Sequence, residues 1–385
     1  MIIHTVKPGD TVFSIGRKYS TSPIKIIENN CLPYPDHLIP GQQLLILVPT
    51  RTYIVRGGDT VLKVCRRFGI KKNELLANNP ALHGRSVLHA GTELAIRYDS
   101  PLYGAVSLNG YVYEGTSSDR FRTLLPYLTY VTFACLDLKH PWIDESKKEC
   151  KIPLLKMKWQ DLCITKENDA LERIILEAKA AGYLGITLTP PPLNIEQSEC
   201  IDFLVNVKKK LLGMDMLLFQ EIEAERSGEY AEAADGIVVM YEKCQKTEIP
   251  DFHNGEGRAI KEFVKNVDAE KSFLEFSSFG YDGEKALNME QILKIALKYK
   301  AEIKNDNEKK ISMIDYSLYK NGEKRPLRIQ FESLENIKAK LELMHEFGFM
   351  GAAVDIGRVP ISYVMMLYSM FTSVECGLYT GIFGI

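Results

Sequence analysis

The chain has 385 residues, of which 45% are apolar and 25% are charged. At roughly 100 to 200 residues per domain this length predicts two or three domains, and the composition excludes general disorder and a fibrous protein. The 48 Lys and Arg residues nearly balance the 50 Asp and Glu residues, for a formal net charge of −2. We therefore predict no nucleic-acid partner.

The N-terminal sequence MIIHTVKPGD has no positively charged stretch followed by an apolar one, and no apolar run reaches about 18 residues. We therefore predict neither a signal peptide nor a membrane span, and we expect synthesis in the cytoplasm. The 8 cysteines lie far apart without a Cys-x-x-Cys pair. This spacing is typical of reduced thiols, and we predict no metal site and no cofactor.

The first hundred residues contain a duplicated segment. The tripeptide Gly-Asp-Thr at 9–11 recurs at 58–60, and Asn29-Asn30 recurs as Asn78-Asn79, both 49 residues later. In each copy a short β-branched segment leads into the Gly-Asp-Thr turn, where Gly permits a sharp bend and Asp or Thr caps a helix. A second helix ends at the Asn pair, and a closing strand follows. The repetition predicts two βααβ modules.

Both copies resemble the LysM domain, over residues 1–49 and 50–98. LysM domains bind glycans that contain N-acetylglucosamine, such as peptidoglycan and chitin, in a shallow groove between the loop after the first strand and the loop before the second. The resemblance implies a groove lined here by Asp10, Thr11, Asn30 and Ile39 in the first module and by Asp59, Thr60, Asn79 and Leu88 in the second. The Asp residues are also interpretable as helix caps and the Asn residues as helix ends, and the two roles are compatible.

From residue 101 to 385 the pattern changes to strand-length apolar segments separated by amphipathic helices. The segments lie at 105–113, 131–136, 153–157, 185–188, 216–219, 236–241, 273–279 and 351–356. Eight strands alternating with helices predict an α/β domain of the (β/α)8 TIM barrel class. An open doubly wound sheet also fits the alternation, but no Gly-rich phosphate loop follows the first strand.

Between the seventh and eighth strand segments, two alternating apolar runs flank Lys320-Asn321-Gly322. Such a pattern indicates a hairpin. We therefore predict a small β insertion between barrel strands seven and eight.

The large domain resembles glycoside hydrolase family 18, specifically the LysM-bearing N-acetylglucosaminidases that degrade spore cortex peptidoglycan. Matching residues occur over most of 102–370 and include Asn109-Gly110-Tyr111, Tyr281-Asp282 and Asp355-Ile356-Gly357-Arg358. The resemblance implies a glycan cleft at the C-terminal mouth of the barrel. On this chain that cleft would be lined by Tyr111, Thr189, Tyr241, Glu242, Tyr281 and Asp355.

The catalytic motif of that family, Asp-x-x-Asp-x-Asp-x-Glu at the end of the fourth strand, is missing from this sequence. In register its acids are replaced by Leu184, Thr187, Thr189 and Pro191. In the family the Glu protonates the glycosidic oxygen and the last Asp orients the acetamido group of the substrate. Because Pro cannot donate a proton and a Thr hydroxyl is not acidic near neutral pH, general acid catalysis worth ~10² to 10⁴ in rate has no source here.

Other cleft positions also lack the residues that the family uses to hold the sugar. The sixth-strand Tyr-Asp pair of the family appears as Tyr241-Glu242, and the Trp beneath the sugar appears as Val354. Loss of aromatic surface weakens sugar binding. Three carboxylates near strand ends offer a replacement acid, namely Glu221, Glu242 and Asp355. The competing interpretation places Glu221 on a solvated helix and gives Asp355 a structural hydrogen bond.

Three functions follow from these observations. The favoured hypothesis is non-catalytic binding of an N-acetylglucosamine polymer through the LysM modules, with the barrel as a scaffold or lectin-like domain. The alternatives are a glycosidase with a relocated carboxylate and a protein-interaction module that binds spore coat proteins. The resemblance implies a place in sporulation, with synthesis in the mother cell and deposition on the spore cortex or coat.

Overall fold

A computed structural model describes eleven stretches of the chain. These are residues 1–82, 87–99, 103–134, 138–159, 168–192, 195–224, 232–240, 255–276, 280–282, 285–320 and 323–373.

The first module contains strand β1 (Ile2–Thr5), helices α1 (Val12–Tyr19) and α2 (Pro23–Asn30), and strand β2 (Gln43–Ile46), with β1 and β2 antiparallel. Helix α1 begins at a capping box, since the hydroxyl of Thr11 accepts from the Ser14 amide and the Ser14 hydroxyl accepts from the Thr11 amide. The buried residues Val12 and Ile15 of α1 share an apolar core with Leu44 and Ile46 of β2.

The second module repeats this plan. It contains β3 (Arg51–Ile54), α3 (Val61–Phe68), α4 (Lys72–Ala77), a 3₁₀ turn at Pro80–Leu82 and β4 (Glu93–Arg97), with β3 antiparallel to β4. Each module has its own apolar core. The predicted βααβ architecture is confirmed in both copies.

The large domain alternates strands and helices. Its described strands are β5 (Ala105–Tyr113), β6 (Tyr130–Ala134), β7 (Ile152–Met157), β8 (Gly185–Leu188), β9 (Leu217–Glu223), β10 (Gly236–Met240), β11 (Ser272–Phe276), β12 (Gly280–Tyr281), β13 (Ala286–Leu287), β14 (Ile303–Asp306), β15 (Ile311–Lys320), β16 (Glu323–Glu332), β17 (Gly351–Asp355) and β18 (Thr372–Ser373). Its described helices are α5 (Ser118–Leu124), α6 (Trp142–Lys148), α7 (Asn168–Ala181), α8 (Gln197–Leu212), α9 (Glu256–Phe263), α10 (Met289–Tyr299), α11 (Leu334–Phe347) and α12 (Ile361–Met370), with 3₁₀ turns at Leu125–Tyr127 and Ala269–Lys271.

Strands β5 to β11 and β17 form a closed parallel barrel. Neighbouring strands pair in sequence order, and β17 pairs with both β11 and β5, which closes the ring. Large side chains from different strands meet inside, including Tyr130, Phe219 and Phe273. The interior is therefore a packed core, and the predicted (β/α)8 fold is confirmed.

The predicted insertion between the seventh and eighth barrel strands is confirmed, and it is larger than a hairpin. Strands β15 and β16 form the hairpin, inside a five-stranded sheet of order β13, β12, β16, β15, β14. Helix α10 packs on this sheet, since Ile292 and Ala296 belong to one apolar cluster with Ile314 and Ile329. The five-stranded sheet and α10 together form the insertion domain. The periodicity of α10 indicates a buried stripe, but it does not specify which sheet that stripe covers.

Both modules contact the barrel domain. Leu45 and Leu47 of the first module belong to the main apolar core of the barrel. In the second module the ammonium of Lys72 lies 2.5 Å from a carboxylate oxygen of Glu149 on the loop after α6. The modules are also joined to each other, because the buried Lys25 donates to the side chain of Asn79 at 2.9 Å.

Candidate functional sites

The first loop of each predicted glycan groove is held by its Asp. In the first module Oδ2 of Asp10 accepts from the Lys7 amide at 2.8 Å and lies 3.0 Å from Nε2 of His4. These contacts lower the pKa of Asp10, chiefly through the backbone hydrogen bond from Lys7. The carboxylate therefore fixes the loop from within.

The second module holds the same loop differently. Oδ2 of Asp59 accepts from the hydroxyl of Tyr53 at 2.7 Å and from the Arg56 amide at 2.8 Å. The hydrogen bond from Tyr53 is the main cause of a lowered pKa for Asp59. Beside it, Thr60 caps α3 by accepting from the Lys63 amide, as Thr11 caps α1. The Asp and Thr residues thus shape the rim.

The two predicted groove asparagines join α2 to β2 and α4 to β4. The amide nitrogen of Asn30 donates to Ile26 and Leu45 carbonyls, and its oxygen accepts from the Leu45 amide. Asn79 makes the equivalent bonds to Leu75 and Ala95. Each side chain satisfies backbone groups of its own module that would otherwise be orphaned, and Asn79 also accepts from Lys25 of the first module.

The remaining predicted groove residues, Ile39 and Leu88, are buried. Leu88 is 8% exposed and packs in the core of its own module, whereas Ile39 is 4% exposed and packs against the insertion domain. The large apolar side chains that reach solvent near the grooves are instead Phe13, Leu62 and Val87, at 68%, 57% and 67% exposed. Sequence reasoning missed these three. The signal was present, since Phe13 and Leu62 each stand two residues after the repeated Thr.

The motif positions of the fourth barrel strand form part of the barrel wall. Thr187 is fully buried on β8, and its hydroxyl has no hydrogen-bond partner among the described residues. Just past the strand, Oγ1 of Thr189 accepts from the Trp159 amide at 3.0 Å and its carbonyl accepts from Gln220 at 2.9 Å. Leu184 lies at the opposite end of the strand and is 42% exposed, while Pro191 is buried.

An ion pair lies in the barrel interior near these positions. Nζ of Lys156 on β7 is 2.6 Å from a carboxylate oxygen of Glu221 on β9, with side chains 15% and 1% exposed. The same ammonium lies 5.0 Å and 5.7 Å from the ring centroids of Tyr111 and Tyr113. The structure thus places Glu221 on a buried strand, and the interpretation that it begins a solvated helix is wrong.

Acidic groups surround the two tyrosines. Burial is the main cause that raises the pKa of Tyr111 and of Tyr113, and the negative charge of Glu221 and Glu275 adds to it in both cases. The charge of Asp355 raises the pKa of Tyr113 further.

Sequence reasoning missed Lys156. The signal for it was the alternation of side chains along a strand, because Lys156 lies two positions after the inward-facing Leu154 in IPLLKM.

Asp355 ends β17 and anchors the loop that follows. Its Oδ1 accepts from the Gly357 amide at 2.8 Å, and Oδ2 lies 3.5 Å from Arg358. This is the structural hydrogen bond that the competing interpretation assigns to it. Tyr281 lies on β12 in the insertion sheet, paired with Gln330.

Two predicted cleft residues, Tyr241 and Glu242, lie outside the described residues. In the stretches that are described, no group of three or more His, Cys, Asp or Glu side chains is placed to hold a metal ion. The helices in those stretches are all too short or too polar to cross a membrane.

Comparison with known proteins agrees with the division of the chain into two N-terminal modules and a barrel. Residues 4–47 and 53–97 each match the LysM domain family. A second comparison finds 37% identity over 120 residues to the putative sporulation-specific glycosylase YdhD of Bacillus subtilis. That match spans 31% of this chain and 27% of the length of that relative.

Solved structures resemble the whole chain or a large part of it. The spore cortex-lytic enzyme SleL of Bacillus megaterium QM B1551 superposes with a TM-score of 0.73 and 21% identity, over 97% of this chain and 98% of that one. A GH18 chitinase of Cycas revoluta, solved in complex with (GlcNAc)4, superposes with a TM-score of 0.52 and 12% identity, over 69% of this chain and 99% of that one. The chain therefore consists of two LysM domains followed by an eight-stranded barrel with the fold of the GH18 chitinases and spore cortex-lytic enzymes.

Proposed function

We propose that this protein binds an N-acetylglucosamine polymer, either spore cortex peptidoglycan or chitin, through its LysM modules, and that its barrel does not hydrolyse glycan. The observation that carries the second part is the end of β8. The side chains there are Thr187, Thr189 and Pro191, and the Thr189 hydroxyl already accepts a backbone hydrogen bond. Without an acid at this point, the family mechanism lacks its proton donor.

The two candidate replacement acids that the structure describes, Glu221 and Asp355, support the same proposal. Glu221 is 1% exposed and bound to Lys156, so a sugar in the mouth would reach its carboxylate only after the pair separates. Separation would leave a buried charge without a partner, which typically costs about 3 to 5 kcal/mol. Asp355 is engaged by the loop that follows it.

Sedimentation with insoluble peptidoglycan and with chitin tests the proposal, together with an assay for new reducing ends from mildly acidic to mildly alkaline pH. We expect the full chain to sediment with at least one polymer, to be released by soluble N-acetylglucosamine oligomers, and to produce no reducing ends. If the chain sedimented with neither polymer, that result would contradict the glycan-binding function.

A glycosidase with a relocated carboxylate is the alternative, and three carboxylates around Tyr113 give it a specific basis. If reducing ends do appear, Glu221→Gln and Glu242→Gln locate the acid. The matched control is Glu223→Gln, on the same strand as Glu221 but only partly buried. Activity lost in Glu221→Gln or Glu242→Gln and kept in Glu223→Gln would establish the alternative.

The protein-interaction alternative would be favoured by an exposed apolar patch near residues 190–193 and Val354. Val354 is 1% exposed and Pro191 is buried, so the described part of this region presents no such patch. Leu193 lies outside the described residues. Binding to spore coat proteins therefore gains no support at this position.

We also propose a role in sporulation, with synthesis in the mother cell and deposition on the spore cortex or coat. The similarity to a putative sporulation-specific glycosylase and to a spore cortex-lytic enzyme supports this placement. A fluorescent fusion expressed in sporulating cells should surround the forespore. Uniform fluorescence throughout vegetative cells would contradict it.

A further inference from the structure

Each groove has a second loop, which precedes the closing strand of the module. In the first module this second groove loop contains Pro40 and Gly41, and it contacts the insertion domain of the barrel. The carbonyl of Pro40 accepts from the Ile303 amide at 2.9 Å, and the carbonyl of Gly41 accepts from the Asn305 side chain at 2.7 Å. Ile303 and Asn305 belong to β14, the edge strand of the insertion sheet. Backbone groups on this side of the groove therefore bind the barrel domain.

Apolar packing reinforces these hydrogen bonds. Ile39 belongs to the apolar cluster of the insertion domain, together with Ile292 and Ile303, and not to the core cluster of its own module. The approach at Gly41 is so close that a Cβ there would lie 1.7 Å from the carbonyl oxygen of Ile303. Rearrangement of this loop around a sugar would therefore have to break a packed interface.

The equivalent loop of the second module is open. His89, Ala90 and Gly91 are exposed, and a Cβ at Gly91 would meet no heavy atom of the described residues within 4 Å. His89, which corresponds in position to Ile39, is exposed where Ile39 is buried, and Leu88 packs inside its own module as Leu38 does in the first. No contact of the kind made by Pro40 and Gly41 is therefore found for this loop in the described part of the chain.

The open groove also has an apolar rim. Val87 is 67% exposed and pairs with Thr60 through an isolated antiparallel bridge, which connects the two groove loops. Leu62, two residues after Thr60, is 57% exposed. Exposed apolar side chains beside polar loop groups suit the faces of a sugar ring, which are apolar, and its rim of hydroxyl groups, which is polar.

We infer that the insertion domain closes the groove of the first LysM module, so that the intact chain binds glycan at one site, in the second module. This inference rests on the proposed glycan-binding function and specifies which module performs it. The first module then acts as a fixed connection between the second module and the barrel. Two linked sites would raise the apparent affinity by avidity, and a chain with one site has no such gain.

Calorimetric titration of the full chain with a soluble N-acetylglucosamine oligomer measures the number of sites directly. We expect one oligomer per chain, with no second binding phase. Two equivalents, in one phase or two, would overturn the inference while leaving the glycan-binding function intact. No binding to any oligomer or polymer would instead contradict the proposed function.

Matched variants identify the module. Leu62→Asp and Val87→Asp should weaken oligomer binding by about tenfold or more, because each places a charge at the apolar rim. Phe13→Asp alters the position equivalent to Leu62 in the first module and should leave the affinity unchanged. An equal loss in Phe13→Asp would overturn the inference. All three residues are exposed, and if a charged variant fails to fold, Leu62→Ser and Phe13→Ser provide the same comparison.

Discussion

The two LysM modules share an internal design and differ in what surrounds them. In both, a Thr caps the first helix, an Asp fixes the first loop and an Asn joins the second helix to the closing strand. Outside this shared interior the modules diverge, because the groove loop of the first binds the insertion sheet and that of the second is open. The comparison teaches that a repeated sequence specifies the interior of a module and leaves its environment undetermined.

The largest expected difference between the modules concerns their equivalent asparagines. Asn79→Ala would leave the Ala95 amide and two carbonyls without partners and would also remove an acceptor from the buried Lys25. Buried unsatisfied groups cost about 1 to 3 kcal/mol each. We therefore expect Asn79→Ala to lower the free energy of unfolding by about 3 kcal/mol or more, measured by urea denaturation.

The control is the equivalent change in the first module. Asn30→Ala removes the same three backbone hydrogen bonds, but no lysine donates to Asn30 in the described stretches. Its effect should be smaller than that of Asn79→Ala. A greater loss in Asn30→Ala would show that the bond between Lys25 and Asn79 does not stabilise the junction of the modules.

A second matched pair isolates the interface with the insertion domain. Gly41 and Gly91 have φ of +86° and +87°, so Ala at either position carries the same backbone strain, of about 1 kcal/mol. Only Gly41→Ala adds a clash with the carbonyl of Ile303. We expect Gly41→Ala to lower the thermal midpoint of the full chain clearly more than Gly91→Ala, and equal midpoints would show that the interface contributes nothing to stability.

The sequence predicts the modules and the barrel because their signals are local. Repeated turn residues identify each module, and eight apolar segments in alternation with helices identify the barrel. The interface between Gly41 and Ile303 joins residues far apart in the chain, and no periodicity records such a contact. For the same reason the sequence of α10 indicates an amphipathic helix but not its packing partner, which is the insertion sheet rather than the barrel.

The candidate site was predictable only in part. Register against the family motif identifies Thr187, Thr189 and Pro191, because that comparison needs only sequence order. The ion pair between Lys156 and Glu221 needs the three-dimensional barrel, which brings β7 and β9 to opposite sides of β8. A charged residue in an otherwise apolar strand is the one local sign of such a pair, and it does not identify the partner.

The smallest expected difference concerns the carboxylates of the first groove loops. The pKa values of Asp10 and Asp59 both lie below the ordinary 3.8. A carboxyl whose pKa is lowered by folding stabilises the fold above its unfolded pKa, and this contribution disappears as the pH falls through the folded pKa. Both modules should therefore lose this contribution to stability as the pH falls below about 4.

The causes of the two lowered pKa values differ, and this is a further difference between the modules. The hydroxyl of Tyr53 is the main cause for Asp59, whereas the Lys7 amide is the main cause for Asp10 and His4 contributes less. Tyr53→Phe should thus raise the pKa of Asp59 towards 3.8 more than His4→Phe raises that of Asp10, in carboxyl titrations followed by NMR. Since the Lys7 amide remains in His4→Phe, a larger shift in that variant would mean that the histidine, and not the backbone, fixes the first loop.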